Sequence, residues 1–578
     1  MLPLNAQTLT EHAKRVPTPT YDRSQVRTGI VHFGVGGFHR AHQAMYVDQL
    51  LREGQGLDWG ICGVGVLASD RPKQQALQAQ DGLYTLVAKH ADGTYEPRVI
   101  GSLVQYLFAP DDPERVIEKM AEPQVRIVSL TITEGGYNID SVTGEFHQDN
   151  PEVLRDLEPG AVPHTVFGLL AEALVRRRAR GVAPFTVMSC DNIQGNGDVA
   201  RRSFSAFAAL RDAELGEWVR HEVHFPNCMV DRITPVTTDT DRAEVTRRFG
   251  IEDRCPVVCE PFTQWVLEDD FSLGRPPLED AGVQLVADVE PYELMKLRLL
   301  NASHQGLCYF GDLAGYRLVH EVAQDPLFAG FLLAYMQREV TPTLEPVPGV
   351  DLHHYQHMLI ERFSNAEVCD TVARLCAESS DRIPKWLLPV LRHNLASGGE
   401  IERSVAIVAS WARYAEGVDE RGEPIQVVDR LREPLMAAAH QWQDDPLAFV
   451  ATRDVFGDLV DDQRFVTVYT VVLASLHDKG ARATLEDLYH ARLGHVSVQL
   501  FTPAKCHRLA HTSGWGTWMG CEPEESRPHG DAGDRRRQTA PHDRERDQSR
   551  PYGDQRSRPG SAGGGRTAQH WQRLSRRK

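Results

Sequence analysis

No C-x-x-C pair occurs in the 578 residues, although the chain carries ten cysteines. Scattered thiols without that spacing argue against a dithiol redox motif or a zinc ribbon. They fit free thiols in a reducing compartment. No apolar run approaches the roughly 20 residues needed to cross a bilayer, so no membrane span is expected. The first residues, Met-Leu-Pro-Leu-Asn-Ala-Gln, lack a basic stretch followed by an apolar core. A secretory leader is therefore not expected, and a cytoplasmic location is. An excess of positive charge is missing too: the net charge is −17. That balance argues against a nucleic-acid binder held by phosphate contacts and leaves small neutral or anionic partners open.

Convincing metal sites are also lacking. Cys255 and Cys259 have three residues between them, and His39 with His42, and His353, His354 and His357, sit at metal-like spacings. None is completed by a third ligand of suitable type, so no metal is expected.

What is present is an alternation of short β-branched runs with helical stretches. A β-rich run ending in glycines is predicted at residues 28–37, further strands at 59–67, 84–88, 125–132 and 185–188, and helices over 39–52 and 166–180. That order predicts βαβ units and a mostly parallel sheet. After about Pro291 helical patterns dominate, over 292–310, 327–338, 366–377, 386–395, 402–416, 428–442 and 464–478. The expected organisation is an α/β fold: a Rossmann-like domain over 1–285 and a mainly α-helical domain over 286–500. Residues 501–578 form a tail that reads as disordered, poor in apolar residues and rich in Arg, Gly, Pro, Ser, Asp and Gln. Its net charge from Pro503 onward is about +7. The tail fits a basic binding segment, an extension without a dedicated role, or the product of a reading-frame change.

The first strand runs into Gly34-Val35-Gly36-Gly37-Phe38-His39 and then a helix, the setting of a dinucleotide-binding turn. One glycine permits the tight turn, and the next lets the backbone approach a pyrophosphate. The third position of G-x-G-x-x-G is His39, so the fingerprint is incomplete, and an ordinary strand–helix turn fits as well. Asp70, beyond the second strand, is the candidate acid for the adenosine ribose. It would favour NAD by repelling a 2′-phosphate, while Arg71 beside it leaves room for NADP. Asp70 also fits a helix cap.

The most distinctive segment is Glu293-Leu-Met-Lys-Leu-Arg-Leu-Leu-Asn-Ala-Ser-His304. At roughly 100° per residue Glu293, Lys296 and His304 share one arc, with Asn301 at its edge. A lysine among Met295, Leu297, Leu299 and Leu300 can lose basicity by desolvation and serve as a general base. The same spacing also fits a snorkelling lysine on a helix with a polar end. Asn192 follows an apolar strand, where α/β enzymes place ligand groups, and an Asx turn fits there too. Asp231, Glu293 and Arg374 are further candidates.

These pieces, with Ser129-Leu-Thr-Ile-Thr-Glu-Gly-Gly-Tyr137, Phe185-Thr-Val-Met-Ser-Cys-Asp-Asn192 and Phe225-Pro-Asn-Cys-Met-Val-Asp-Arg-Ile-Thr-Pro235, closely resemble the polyol-specific long-chain dehydrogenases of the mannitol dehydrogenase family. The resemblance covers roughly residues 25–495. It implies NAD-dependent, metal-independent oxidation of D-mannitol to D-fructose and the reverse reduction with NADH. It implies Lys296 as general acid/base, Asn192 and Asn301 polarising the reacting oxygen, and His304 binding substrate. Gly34, Val35, Gly36, Gly37, Phe38 and Asp70 would hold the cofactor. Asp231 and Arg374 match polyol-contacting positions, Glu293 a position associated with proton movement, and Arg382 a position where the family can carry a lysine. Ser69-Asp70 stands where the pattern can carry a Glu-Asp pair. D-arabinitol or D-sorbitol oxidation, and fructuronate or tagaturonate reduction, are the neighbouring expectations. An NAD-binding regulatory protein is the non-enzymatic one. The resemblance also implies a monomer.

Overall fold

The computed structural model describes residues 1–140 and 143–490. The expected tail over 501–578 lies outside the described residues, as do 491–500.

Five parallel strands form the central sheet, in the order Leu103–Phe108, Gly60–Gly65, Thr28–Phe33, Ile127–Leu130, Thr186–Ser189. Val31 lies opposite Cys62 on one side and Val128 on the other. All of Gly60–Gly65, Ile127–Leu130 and Thr186–Ser189 are buried. Burial of both faces explains why these strands read as continuous apolar runs rather than as alternating ones. The strand order reverses at Thr28–Phe33, and ligands of such sheets bind outside the carboxyl ends at that point. The fold is therefore the expected Rossmann-like α/β arrangement joined to a mainly helical region.

One predicted strand belongs elsewhere. Tyr84–Lys89 does not enter the central sheet. It pairs antiparallel with Tyr95–Ile100 and parallel with Val257–Cys259 in a separate three-stranded sheet. Leu103–Phe108 takes the edge place beside Gly60–Gly65 instead. Tyr95–Ile100 escaped the sequence reading because Pro97 interrupts it. The strand sits at the sheet edge, where proline is tolerated. A third sheet joins Cys228–Asp231, Gln264–Glu268 and Gln284–Val286, and it carries Asp231 at the end of its first strand.

In the helical region a near-continuous rod runs from Glu290–Met295 through a π-helical turn at Lys296–Asn301 into Ala302–Leu313. Every residue from Ala302 to Leu313 is buried. Such a helix must be enclosed on all sides, and its neighbours include Val372–Cys376, Glu402–Tyr414 and Pro326–Tyr335. Four predicted helices need correction. The one over 366–377 is broken: a short turn at Ala366–Val368 ends in Cys369 at φ 53°, and Thr371 caps a new helix at Val372–Cys376. The one over 386–395 is Leu388–Ser397, preceded by a separate helix Ser379–Trp386 that Pro384 masks in sequence. The one over 428–442 shrinks to Arg432–Ala439. The predicted 464–478 helix instead extends over Gln463–His490, with Gly480 non-helical inside it.

Candidate active site

Three loops leave the carboxyl ends of the central strands: Gly34–Phe38, Thr131–Tyr137 and Cys190–Asn192. The first is built by backbone geometry. Gly34 has φ 87°, and a Cβ there would stand 2.0 Å from the carbonyl oxygen of Thr131. Thr131 Oγ1 donates to the Gly34 carbonyl at 2.6 Å, and the Gly36 N–H donates to the same oxygen at 2.6 Å. On Gly36 a Cβ would meet nothing closer than 3.8 Å, so that face of the turn stands open. This is the cradle that a pyrophosphate needs and a side chain would fill.

The incomplete fingerprint has a physical cause. His39 turns inward and stacks on His32, with ring centroids 3.4 Å apart and planes 12° apart. Both rings are fully enclosed, and burial pushes both below the ordinary histidine value, His32 to about 3. A flat imidazole pair thus fills the space that a third glycine would leave for helix–strand packing. Val35 is a core residue, packed toward Gly63, and the half-buried Phe38 stacks on His42 at 4.9 Å. Asp70 uses one carboxylate oxygen on the N–H groups of Val66 and Leu67, at 3.2 and 3.1 Å, and the other faces Lys73 at 3.3 Å. It braces its own loop, while Arg71 pairs with Asp111 and lies over Phe108.

The structure brings most of the other predicted residues together around the π-helical turn. Such turns often mark functional sites, because the extra residue re-aims the side chains that follow. Lys296 is buried and donates from Nζ to Asn192 Oδ1. Burial pushes its ammonium down to about 8, against the smaller opposing pull of Asp231. Glu293, one turn earlier, leaves the lysine and accepts the Gly195 N–H at 3.1–3.2 Å. Burial raises its carboxyl to about 7. Asn301 and His304 are buried, yet Asn301 Nδ2 and His304 Nε2 have no hydrogen-bond partner among the described residues. Buried polar atoms are rarely left so. Burial, followed by the charges of Arg374, Arg362, Lys296 and Arg382, holds the His304 ring well below its ordinary value, hence neutral. Its ring packs on Phe363 at 4.7 Å.

The remaining candidates are already paired. Asp231 is gripped by Arg362 through two bonds, at 2.8 and 3.0 Å. Arg374 is bound by Asp370, and Arg382 donates to the Leu375 carbonyl at 3.0 Å. The sequence reading missed Arg362, Glu260 and Asp191. Arg362 also binds Glu260, at 2.7 and 2.9 Å. Asp191 accepts the N–H groups of Ile132 and Thr133 and the Tyr137 hydroxyl, at 2.7–3.0 Å, and so ties the Thr131–Tyr137 loop to Asn192. Thr133 in that loop has φ 63°, a strained conformation for a β-branched residue. No local signal exposes these partners, because Arg362 lies 131 residues from Asp231 and 102 from Glu260.

Among the described residues no three His, Cys, Asp or Glu side chains converge to hold a metal ion. The eight described cysteines are free thiols. No helix of these residues is long and apolar enough to cross a membrane.

Comparison with known proteins places this geometry. Residues 28–280 match the mannitol dehydrogenase Rossmann domain family, and 288–477 match the mannitol dehydrogenase C-terminal domain family. A mannitol 2-dehydrogenase of Aspergillus fumigatus is 47% identical over 495 residues, covering 84% of this chain and 98% of that one. A mannitol dehydrogenase of Saccharomyces cerevisiae is 45% identical over 488 residues, covering 84% and 97%. Among solved structures, the Pseudomonas fluorescens mannitol 2-dehydrogenase in ternary complex with NAD and D-mannitol superposes with a TM-score of 0.79 at 46% identity, covering 85% of this chain and 100% of that one. A substrate-free D-sorbitol dehydrogenase gives a TM-score of 0.76 at 38% identity, covering 84% and 100%.

Proposed function

The chain belongs to the mannitol dehydrogenase family, and from that premise we propose that it oxidises D-mannitol to D-fructose with NAD, without a metal, and reduces D-fructose with NADH. Lys296 is the acid–base group. The observation that carries this reading is the lysine's setting: a buried ammonium pushed down to about 8, near two buried polar atoms, Asn301 Nδ2 and His304 Nε2, without a partner among the described residues.

The open face of Gly36 and the turn from Gly34 to Phe38 would hold the pyrophosphate of NAD, with Asp70 at the ribose end. Bound there, the nicotinamide supplies the acceptor for the C2 hydride. The protein's own residues do the rest. Neutral Lys296 takes the proton of the C2 hydroxyl. Asn192 and the unpartnered amide of Asn301 stabilise the developing alkoxide. Neutral His304 donates to a neighbouring hydroxyl, and Asp231 accepts from another. Arg374 and Arg382 line the far end of the substrate. Glu293, whose carboxyl titrates at about 7, passes protons between Lys296 and the outside. In this reading residues 1–285 carry the cofactor and lend Asn192 and Asp231 to the site, and residues 286–500 carry the acid–base lysine and the other substrate-binding groups. The protein acts as a monomer.

A substrate panel of D-fructose, other ketoses and a keto-uronate, followed by nicotinamide absorbance with NADH and NADPH, tests the reading. Turnover of D-fructose with NADH, unaffected by EDTA, is expected. Lys296→Ala is expected to lose about 10²- to 10⁴-fold in turnover near neutral pH while still binding NADH. Binding of NADH with no turnover of any ketose would favour a regulatory nucleotide-binding protein instead.

A further inference from the structure

Asp231 belongs to a buried ion triad whose other two members, Arg362 and Glu260, have no part in the reaction described above. Asp231 ends the strand Cys228–Asp231, Glu260 follows the strand Val257–Cys259, and Arg362 comes from the helix Leu352–Phe363. Side-chain exposure is 4%, 2% and 5% respectively. Arg362 Nη1 and Nη2 take the two oxygens of Asp231, while Nε and Nη2 take the two oxygens of Glu260. The Phe262 ring lies against the guanidinium, 3.9 Å from its centroid to Cζ. Glu260 is itself fixed, since it accepts the Ile233 N–H at 2.5 Å.

Enclosing three charges is costly, and a packed apolar set of similar volume often serves stability as well. The arrangement instead solves a problem of aim. A carboxylate that accepts one bond on each oxygen from a planar, bidentate guanidinium keeps lone pairs free on its other edge. Glu260, on the opposite side, prevents Arg362 from swinging away. We propose that Arg362, anchored by Glu260, is a positioning residue that presents the Asp231 carboxylate to the polyol hydroxyls and sets the charge felt by the acid–base lysine. This rests on the reading of Lys296 and Asp231 given above.

The groups facing Lys296 are Asp231 from the strand, Arg362 from the neighbouring helix and Glu293 from its own helix. His304 is neutral beside it, and Arg374 and Arg382 lie beyond the histidine. Glu260 faces Arg362 and Asp231, and the Tyr355 hydroxyl borders all three. The triad carries one net negative charge when both carboxylates are ionised. Glu260→Gln brings that to zero, which disfavours a protonated Lys296. The double variant Glu260→Gln/Arg362→Gln returns it to one negative charge but leaves Asp231 without its guide.

The test is the pH dependence of kcat/KM for D-mannitol oxidation, measured with NADH affinity on the purified full-length protein. Glu260→Gln is expected to move the acid limb to lower pH by about half a unit and to raise KM for D-mannitol severalfold, with NADH affinity unchanged. The double variant is expected to restore the limb toward wild type while KM stays raised about tenfold or more. A merely structural triad would lower the folded fraction in both variants and shift no limb. Should the double variant fail to fold, Glu260→Gln alone decides. An unmoved limb with an unchanged KM in that variant overturns the proposal. Lys296→Ala, run alongside, separates the two readings. If it keeps the acid limb, the base assignment falls. If it loses the limb while Glu260→Gln leaves both limb and KM unchanged, only the role of the triad falls.

Discussion

At the glycine turn, binding geometry comes from the main chain. Gly34 holds φ 87° because nothing larger fits against Thr131, and its carbonyl already accepts two hydrogen bonds from the chain. On the helix from Lys296 to His304, the proposed binding comes from side chains that the fold leaves wanting. Asn301 Nδ2 and His304 Nε2 are buried without partners among the described residues, and the Lys296 ammonium is disfavoured by burial. The first region is held by its own main-chain hydrogen bonds and offers a shape. The second holds unmet hydrogen-bonding demand that a polyol can satisfy. Each unsatisfied buried polar group costs about 1–3 kcal/mol. The helix therefore sacrifices stability that substrate binding can return.

That contrast can be broken by substitution. Asn301→Ala removes an amide whose Nδ2 has no partner among the described residues. It is expected to lower kcat by about 10²- to 10³-fold while the thermal midpoint holds or rises, as checked by steady-state kinetics and calorimetry. Gly34→Ala should do the reverse in stability. A methyl group 2.0 Å from a carbonyl oxygen must displace the turn. The strain of about 1–3 kcal/mol is expected to lower the melting temperature and to weaken NADH binding about 10- to 100-fold, measured by fluorescence titration. His304→Phe gives the smallest change. KM for D-mannitol is expected to rise about three- to tenfold, with no loss of stability, because the new ring keeps the packing against Phe363. A large drop in melting temperature for Asn301→Ala or His304→Phe would mean that these groups are structural and that the two regions do not differ as described.

How far the site could be read in the sequence follows the same division. The glycine turn was legible because a backbone that needs φ above zero needs glycine, and that requirement is local. The lysine helix was legible because helical periodicity places Lys296, Asn301 and His304 together, although the π-helical turn that re-aims them left no mark in the residue pattern. Asp70 was legible as a carboxylate beyond the second strand, but its use on the amides of Val66 and Leu67 depends on loop geometry. The triad behind Asp231 could not be read, because its three charges come from strands and a helix far apart in the chain. The mis-set elements have local causes as well. Pro97 hid an edge strand, Pro384 hid a helix, and the left-handed Cys369 broke a helix that hydrophobic spacing would have continued.

The most direct test of the central claim is the pH profile of kcat/KM for D-mannitol oxidation with NAD. In the proposed mechanism neutral Lys296 is the reactive form, and burial pushes its conjugate acid down to about 8. Oxidation should therefore plateau above that pH and fall about tenfold per unit below it, and the inflexion should vanish in Lys296→Ala. An inflexion near 8 that survives in Lys296→Ala, or a wild-type profile flat through that region, would contradict the assignment.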